Sequence, residues 1–143
     1  MTQYLADTSI WAWANQGSRP DIARKLAERL ERGEICTCVP IALEVMHRAE
    51  TGDEYERLFA ELLEPLEWLP LTDDAAQRGL DVQRELAAYS HGRHRRPVSD
   101  YLIAAVAEAE SEAILWFFDR DLDLICEHTG QPFDAERSTG AGT

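Results

Sequence analysis

The chain has 143 residues, 45% hydrophobic and 29% charged, which suits one domain with a sizeable core and is ordinary for a globular protein. No apolar run approaches the roughly 18–20 residues of a membrane span, and no basic segment followed by an apolar one opens the chain; the expectation is a cytoplasmic protein with no signal peptide. The net charge of −13 argues against non-specific nucleic-acid binding, which needs Lys and Arg against phosphate, and suits a basic partner or bound cations.

Gln3 to Ala6 reads as a first strand, ended abruptly by Asp7. Thr8 or Ser9 is expected to cap the next helix, Ile10 to about Asn15, because short hydroxyl side chains satisfy orphan N–H groups. Trp11 and Trp13 are two apart and cannot share one helical face, so one is expected against core and the other at an interface. After the break at Gly17-Ser18-Arg19-Pro20, Asp21 to Arg32 is an amphipathic helix, with Ile22, Leu26 and Leu30 at four-residue steps and Gly33 closing it. Glu34 to Val39 is a short strand. Pro40 then starts a helix where its missing N–H does no harm, and Gly52 is expected to end it. Glu54 to Leu63 is a further helix. Glu67 to Leu71 is a short strand near a sheet edge, since Pro70 cannot donate. Thr72 or Asp73 caps a long helix through about Tyr89.

The loop His91-Gly92-Arg93-His94-Arg95-Arg96 follows, and Ser99 is expected to cap a helix that carries Asp100 in its first turn. Ala113 to Phe118 is apolar throughout, as in a central parallel strand, and ends at Asp119. Leu122 to Glu127 is a short helix and Thr129-Gly130-Gln131-Pro132 a turn. Strands alternating with helices indicate an α/β fold with a parallel sheet of four to five strands, order 3-2-1-4-5, and helices on both faces. Residues 1–134 form the expected domain, and 135–143, Gly- and Ser/Thr-rich at its end, a disordered tail. Cys36, Cys38 and Cys126 form no metal-ligand framework and read as small apolar fillers.

Asp7 leaves the first strand at its carboxyl end, where ligands bind in open parallel sheets. A right-handed return of the fourth strand beside the first brings Asp119 to the same crevice. Asp100 opens the helix that feeds that strand, and so starts near the crevice. Glu44 sits about one turn into the helix after the second strand, again on the carboxyl side. Carboxylates gathered there repel one another and stay ionised only with a cation. Oxygen-only ligation points to Mg²⁺ or Mn²⁺, which activate water and clamp phosphate oxygens in phosphodiester hydrolysis. Ser9 is placed to orient Asp7, and Asp121 to add a ligand or to act behind the first ones. Arg93, Arg95 and Arg96 offset the negative charge locally and suit a phosphate backbone.

Each residue has a plainer alternative. Asp7 is a good helix cap, Asp100 an ordinary first-turn acid, and Asp119, Asp121 and Asp123 a polar turn. The arginine loop reads equally as a solvated one. Glu44 amid Ile41, Leu43, Val45 and Met46 is costly if buried, although the narrow side of its helix can face solvent.

Four stretches, in order and at suitable spacing, resemble a PIN-domain protein of the VapC toxin type: Leu5-Ala6-Asp7-Thr8-Ser9, Ala42-Leu43-Glu44-Val45, Val98-Ser99-Asp100-Tyr101-Leu102-Ile103-Ala104-Ala105, and Phe118-Asp119-Arg120-Asp121-Leu122-Asp123-Leu124-Ile125. Thr129-Gly130-Gln131-Pro132 resembles the family's closing segment. The resemblance implies a Mg²⁺- or Mn²⁺-dependent endoribonuclease that blocks translation when free. It implies a homodimer and a cognate, VapB-like antitoxin that obstructs the acidic groove. It assigns Asp7, Glu44, Asp100 and Asp119 to the acidic site, with Asp121 beside them. Phe117 stands where relatives often have histidine, and Leu122 where Phe or Tyr usually follows; neither removes a carboxylate.

Three other functions compete. A haloacid-dehalogenase-type phosphatase needs a second Asp two residues after the first, where this chain has Ser9. A non-catalytic PIN-like binding module has no need of all four acids. A PIN nuclease in RNA processing, or on DNA, would share the site without the toxin role.

Overall fold

The computed structural model describes residues 2–89, 92–118 and 121–138. Five parallel strands, β1 (Gln3–Ala6), β2 (Ile35–Thr37), β3 (Glu67–Trp68), β4 (Ala113–Phe118) and β5 (Phe133–Glu136), form one sheet in the order β3-β2-β1-β4-β5. This is the expected order. Tyr4 and Leu5 pair with Ile35 and Cys36 on one side, and Gln3 to Ala6 pair with Ala113 to Trp116 on the other. The chain therefore works outward from β1 in one direction and then returns to its other flank. The carboxyl ends of β1 and β4 thus meet at the strand-order reversal.

Leu115, Trp116 and Phe117 are fully buried although successive strand residues point to opposite faces, so both faces of β4 are covered. The helices are α1 (Thr8–Gln16), α2 (Pro20–Glu31), α3 (Val39–Met46), α4 (Gly52–Leu58), α5 (Asp73–Tyr89), α6 (Val98–Ala109) and α7 (Asp121–Thr129). Helix α4 runs on into a π-helical turn, Phe59–Leu63. Helix α2 crosses the face carrying Tyr4 and Trp116. There the Arg29 guanidinium lies 3.7 Å from the Tyr4 ring centroid and 4.3 Å from that of Trp116. Glu136 of β5 accepts from Trp116 Nε1 (3.1 Å) and from Lys25 Nζ (2.6 Å), tying the last strand to β4 and α2.

Local details depart from expectation at several places, among them strand β2, which stops at Thr37 so that Val39 already belongs to α3. Asp7, not Thr8 or Ser9, caps α1. Gly52 opens α4 instead of ending α3, because the Thr51 side chain accepts from Glu54 N and starts a new helix. Pro97, not Ser99, is the cap of α6; its carbonyl accepts from Asp100 N (3.0 Å) and Ser99 lies inside the first turn. Strand β3 keeps only Glu67 and Trp68, stopping short of the donor-less Pro70. Ala135 and Glu136, placed in the tail by the sequence, belong to β5. The rest of that tail from 139 onward lies outside the described residues.

Candidate active site

Asp7 leaves β1 with its backbone N–H bonded to Trp116 O (2.9 Å), which holds it level with β4. Its Oδ2 accepts from Ser9 N (3.1 Å) and Ser9 Oγ (2.7 Å). The helix-cap reading of Asp7 is therefore realised, but the same carboxylate is also part of a cavity. The Ser9 hydroxyl accepts in turn from Phe118 N (2.9 Å), the last described residue of β4. One hydroxyl thus couples Asp7 to the strand end that leads into Asp119.

The cavity, about 260 Å³, is lined by Asp7, Thr8, Ser9, Glu44 and Asp100 on its polar side, with Trp13, Pro97, Phe118 and Leu122 also contributing. Asp7 and Asp100 are 7% and 8% exposed, so two carboxylates lie nine-tenths out of water in one small space. Asp100 gets there from the first turn of α6, where the helix dipole favours negative charge. Glu44 is exposed at the rim, and its Oε1 accepts from Thr8 Oγ1 (3.0 Å). The desolvation argument for Glu44 does not hold: its helix buries Ile41, Ala42, Val45 and Met46 and leaves Leu43 and Glu44 to solvent.

Asp119 lies outside the described residues, as does the side chain of Asp121 at the start of α7. Among the described residues no group of three or more His, Cys, Asp or Glu side chains is close enough to hold a metal ion. The donor set in the cavity is nonetheless all oxygen and carboxylate-rich, the chemistry that suits Mg²⁺ or Mn²⁺ over softer ions. Cysteine plays no part in it. Burial pushes the Cys36, Cys38 and Cys126 thiols up to about 12, and for Cys38 the negative charges of Asp7 and Glu44 add to the shift.

The basic loop runs into Pro97, which lines the cavity, but none of its own described residues lines it. Arg93 and Arg95 are exposed; Arg96 is half-buried and donates from Nε to Arg93 O (3.1 Å). The Tyr101 hydroxyl, next to Asp100, donates to His94 O (2.5 Å) and anchors the loop. Burial raises the Tyr101 phenol above its ordinary value, so it stays a donor. Sequence reasoning missed Thr8, Trp13, Pro97, Phe118 and Leu122 as cavity residues. For Trp13 a signal existed, since only one of two tryptophans two residues apart can point to core.

Residues 4–127 match the PIN-domain family. Ribonuclease VapC18 of Mycobacterium tuberculosis is 34% identical over 130 residues, spanning 90% of this chain and 91% of that protein. Among solved structures, DNA-bound VapBC from Salmonella typhimurium superposes with a TM-score of 0.73 over 94% of this chain and 98% of that one; at 15% identity this shows a shared fold. VapBC-5 of Mycobacterium tuberculosis, from a family of toxin–antitoxin systems, gives a TM-score of 0.53 at 25% identity over 73% of this chain and 82% of that one. Matched over most of its length by both the family and a close-length relative, the chain belongs to the PIN-domain family, alongside the VapC ribonucleases.

Proposed function

We propose that the chain is a divalent-metal-dependent endoribonuclease, the toxin of a toxin–antitoxin pair, acting in the cytoplasm as a homodimer and neutralised by a VapB-like antitoxin. The observation that carries the nuclease reading is the pairing of buried Asp7 and Asp100 with Glu44 in one cavity at the carboxyl ends of the central strands. Ribonuclease names among the relatives support the substrate, and a toxin–antitoxin neighbour at 25% identity supports the partner. The homodimer rests on family resemblance.

Asp7, Glu44 and Asp100, with Asp119 by sequence, are the groups that would hold the ion. Such an ion, when bound, makes water more acidic and offsets the charge on phosphate oxygens. Ser9 fixes the rotamer of Asp7 through its two hydrogen bonds, so that the carboxylate does not have to be reordered at each turnover. One of the carboxylates accepts a proton from water as the water oxygen bonds to phosphorus; the phosphorus bond to the leaving oxygen breaks, and that oxygen takes a proton from solvent. Arg93 and Arg95, exposed and a few residues before Pro97 in the chain, supply positive charge for the RNA backbone to offset an otherwise repulsive acidic cavity.

The test is cleavage of a structured RNA pool by antitoxin-free protein with Mn²⁺ or Mg²⁺, with chelator, and with Asp7→Asn. Metal-dependent cutting lost in the variant is the expected result. Cutting that survives chelation and Asp7→Asn would refute the reading.

A further inference from the structure

The acidic cavity has a second wall that the chemistry above does not use. Trp13 and Phe118 both line it and pack on each other, with ring centroids 4.4 Å apart and planes at 32°. Phe118 is 6% exposed and is backed by Arg19, whose guanidinium lies 5.5 Å from the ring centroid. Arg19 is itself fixed, donating from Nε and Nη2 to Asp21 (2.9 and 2.8 Å) and from Nη1 to Arg137 O (2.8 Å). Trp13 is only half-buried. The contrast with Trp11, at 9%, and Trp116, at 0%, is informative: those are core tryptophans, whereas Trp13 opens into the cavity that holds Asp7 and Asp100.

We propose that Trp13, held against Phe118, is a stacking platform for a nucleobase next to the scissile phosphate, and so a positioning residue for the RNA at this site. The proposal rests on the nuclease reading above. A phosphodiester entering a cavity walled by Asp7, Glu44 and Asp100 on a chain of net charge −13 is repelled before any cation offsets it. The aromatic wall offers attraction that needs no charge, and every base has a face to stack, so the contact tolerates sequence. A base inside a duplex has both faces covered by its neighbours; a base in a loop or single strand can be splayed onto the ring. Platform and acids line the same cavity, so a base on Trp13 sets which backbone phosphate meets the carboxylates.

The experiment uses a short single-stranded RNA selected from a randomised pool as one that the wild-type chain cuts. It compares wild type, Trp13→Leu and Trp13→Phe, with an abasic residue scanned through the RNA. Trp13→Leu keeps apolar bulk without a π face, and Trp13→Phe keeps the ring, so a folding defect is separated from lost stacking. Expected is a KM raised roughly 5- to 100-fold in Trp13→Leu, the range for one lost base–aromatic stack, with kcat little changed and Trp13→Phe near wild type. One abasic position should cost the wild type a similar factor and cost Trp13→Leu nothing further. Unchanged KM in Trp13→Leu, with cleavage intact, overturns the platform and leaves the nuclease reading standing. Loss of antitoxin binding in Trp13→Leu without any abasic effect overturns it in favour of a protein partner at this wall. A randomised pool from which the wild-type chain cuts and binds no RNA overturns the nuclease reading at the selection step, and the platform with it.

Discussion

Replacing Ser9 by Ala removes a single oxygen that does two jobs. It donates to Asp7 Oδ2 at 2.7 Å and accepts from Phe118 N at 2.9 Å. A hydrogen bond to a charged group contributes about 1.5–3 kcal/mol, and a buried N–H left without a partner costs about 1–3 kcal/mol. The two losses share one atom and are not additive, so the expected destabilisation is about 2–4 kcal/mol, a large share of the roughly 5–15 kcal/mol typical of a domain. With a urea m-value of about 2 kcal/mol/M, the unfolding midpoint should fall by about 1–2 M. The carboxylate also loses its orienting partner, and kcat for RNA cleavage should fall about 10- to 100-fold, the usual cost of removing a group that positions a metal ligand. Ser18→Ala, at an exposed turn, is the control and should change neither. A Ser9→Ala midpoint within about 0.3 M of wild type, with kcat within about twofold, would refute the claim that this hydroxyl couples β1 to β4 and sets the site.

Three further outcomes are expected. Arg29→Ala, which removes a guanidinium packed over both Tyr4 and Trp116 and paired with Asp134 (3.2 Å), should cost about 2–4 kcal/mol in urea unfolding, and Arg29→Lys should recover little because an ammonium cannot stack as a plane. Gly79→Ala should destabilise by about 1 kcal/mol despite Ala's better helix propensity, because the new Cβ would sit 3.1 Å from Tyr101 O and the α6 backbone would have to give by a few tenths of an ångström. Asp21, held by two hydrogen bonds from Arg19, should titrate at about 2 by NMR and return toward 3.8 in Arg19→Ala. Its folded value is the lower one, so the stability it contributes is present above about pH 4 and is lost as pH falls toward 2.

The apolar runs Gln3–Ala6 and Ala113–Phe118, each ended by an acid, made the two central strands and the strand order legible, because strands buried on both faces leave continuous hydrophobic sequence. Strand β5 was not localised. Phe133-Asp-Ala-Glu136 carries no strand pattern of its own and is held by Trp116 and Lys25, far away in the chain. The π-helical turn at Phe59–Leu63 likewise has no signal in a pattern read at helical period. At the site, Asp7 and Asp100 were legible because topology alone brings strand ends and helix starts to one crevice. The exposure of Glu44 was not, since Ile41 to Met46 is apolar on nearly all sides and periodicity cannot choose its solvent face. Nor was the Trp13–Phe118 wall, which exists only once α1 is laid against the end of β4.

The most direct test of the acidic cavity as a metal site is Mn²⁺ binding, read by electron paramagnetic resonance at physiological ionic strength, in the wild-type chain and in Asp7→Asn with Asp100→Asn. Saturable binding is expected in the wild type, competed by Mg²⁺ and abolished in the double variant while its fold, checked by circular dichroism, is retained. Equal Mn²⁺ affinity in the folded double variant would contradict the claim that the buried acids of this cavity are the metal site.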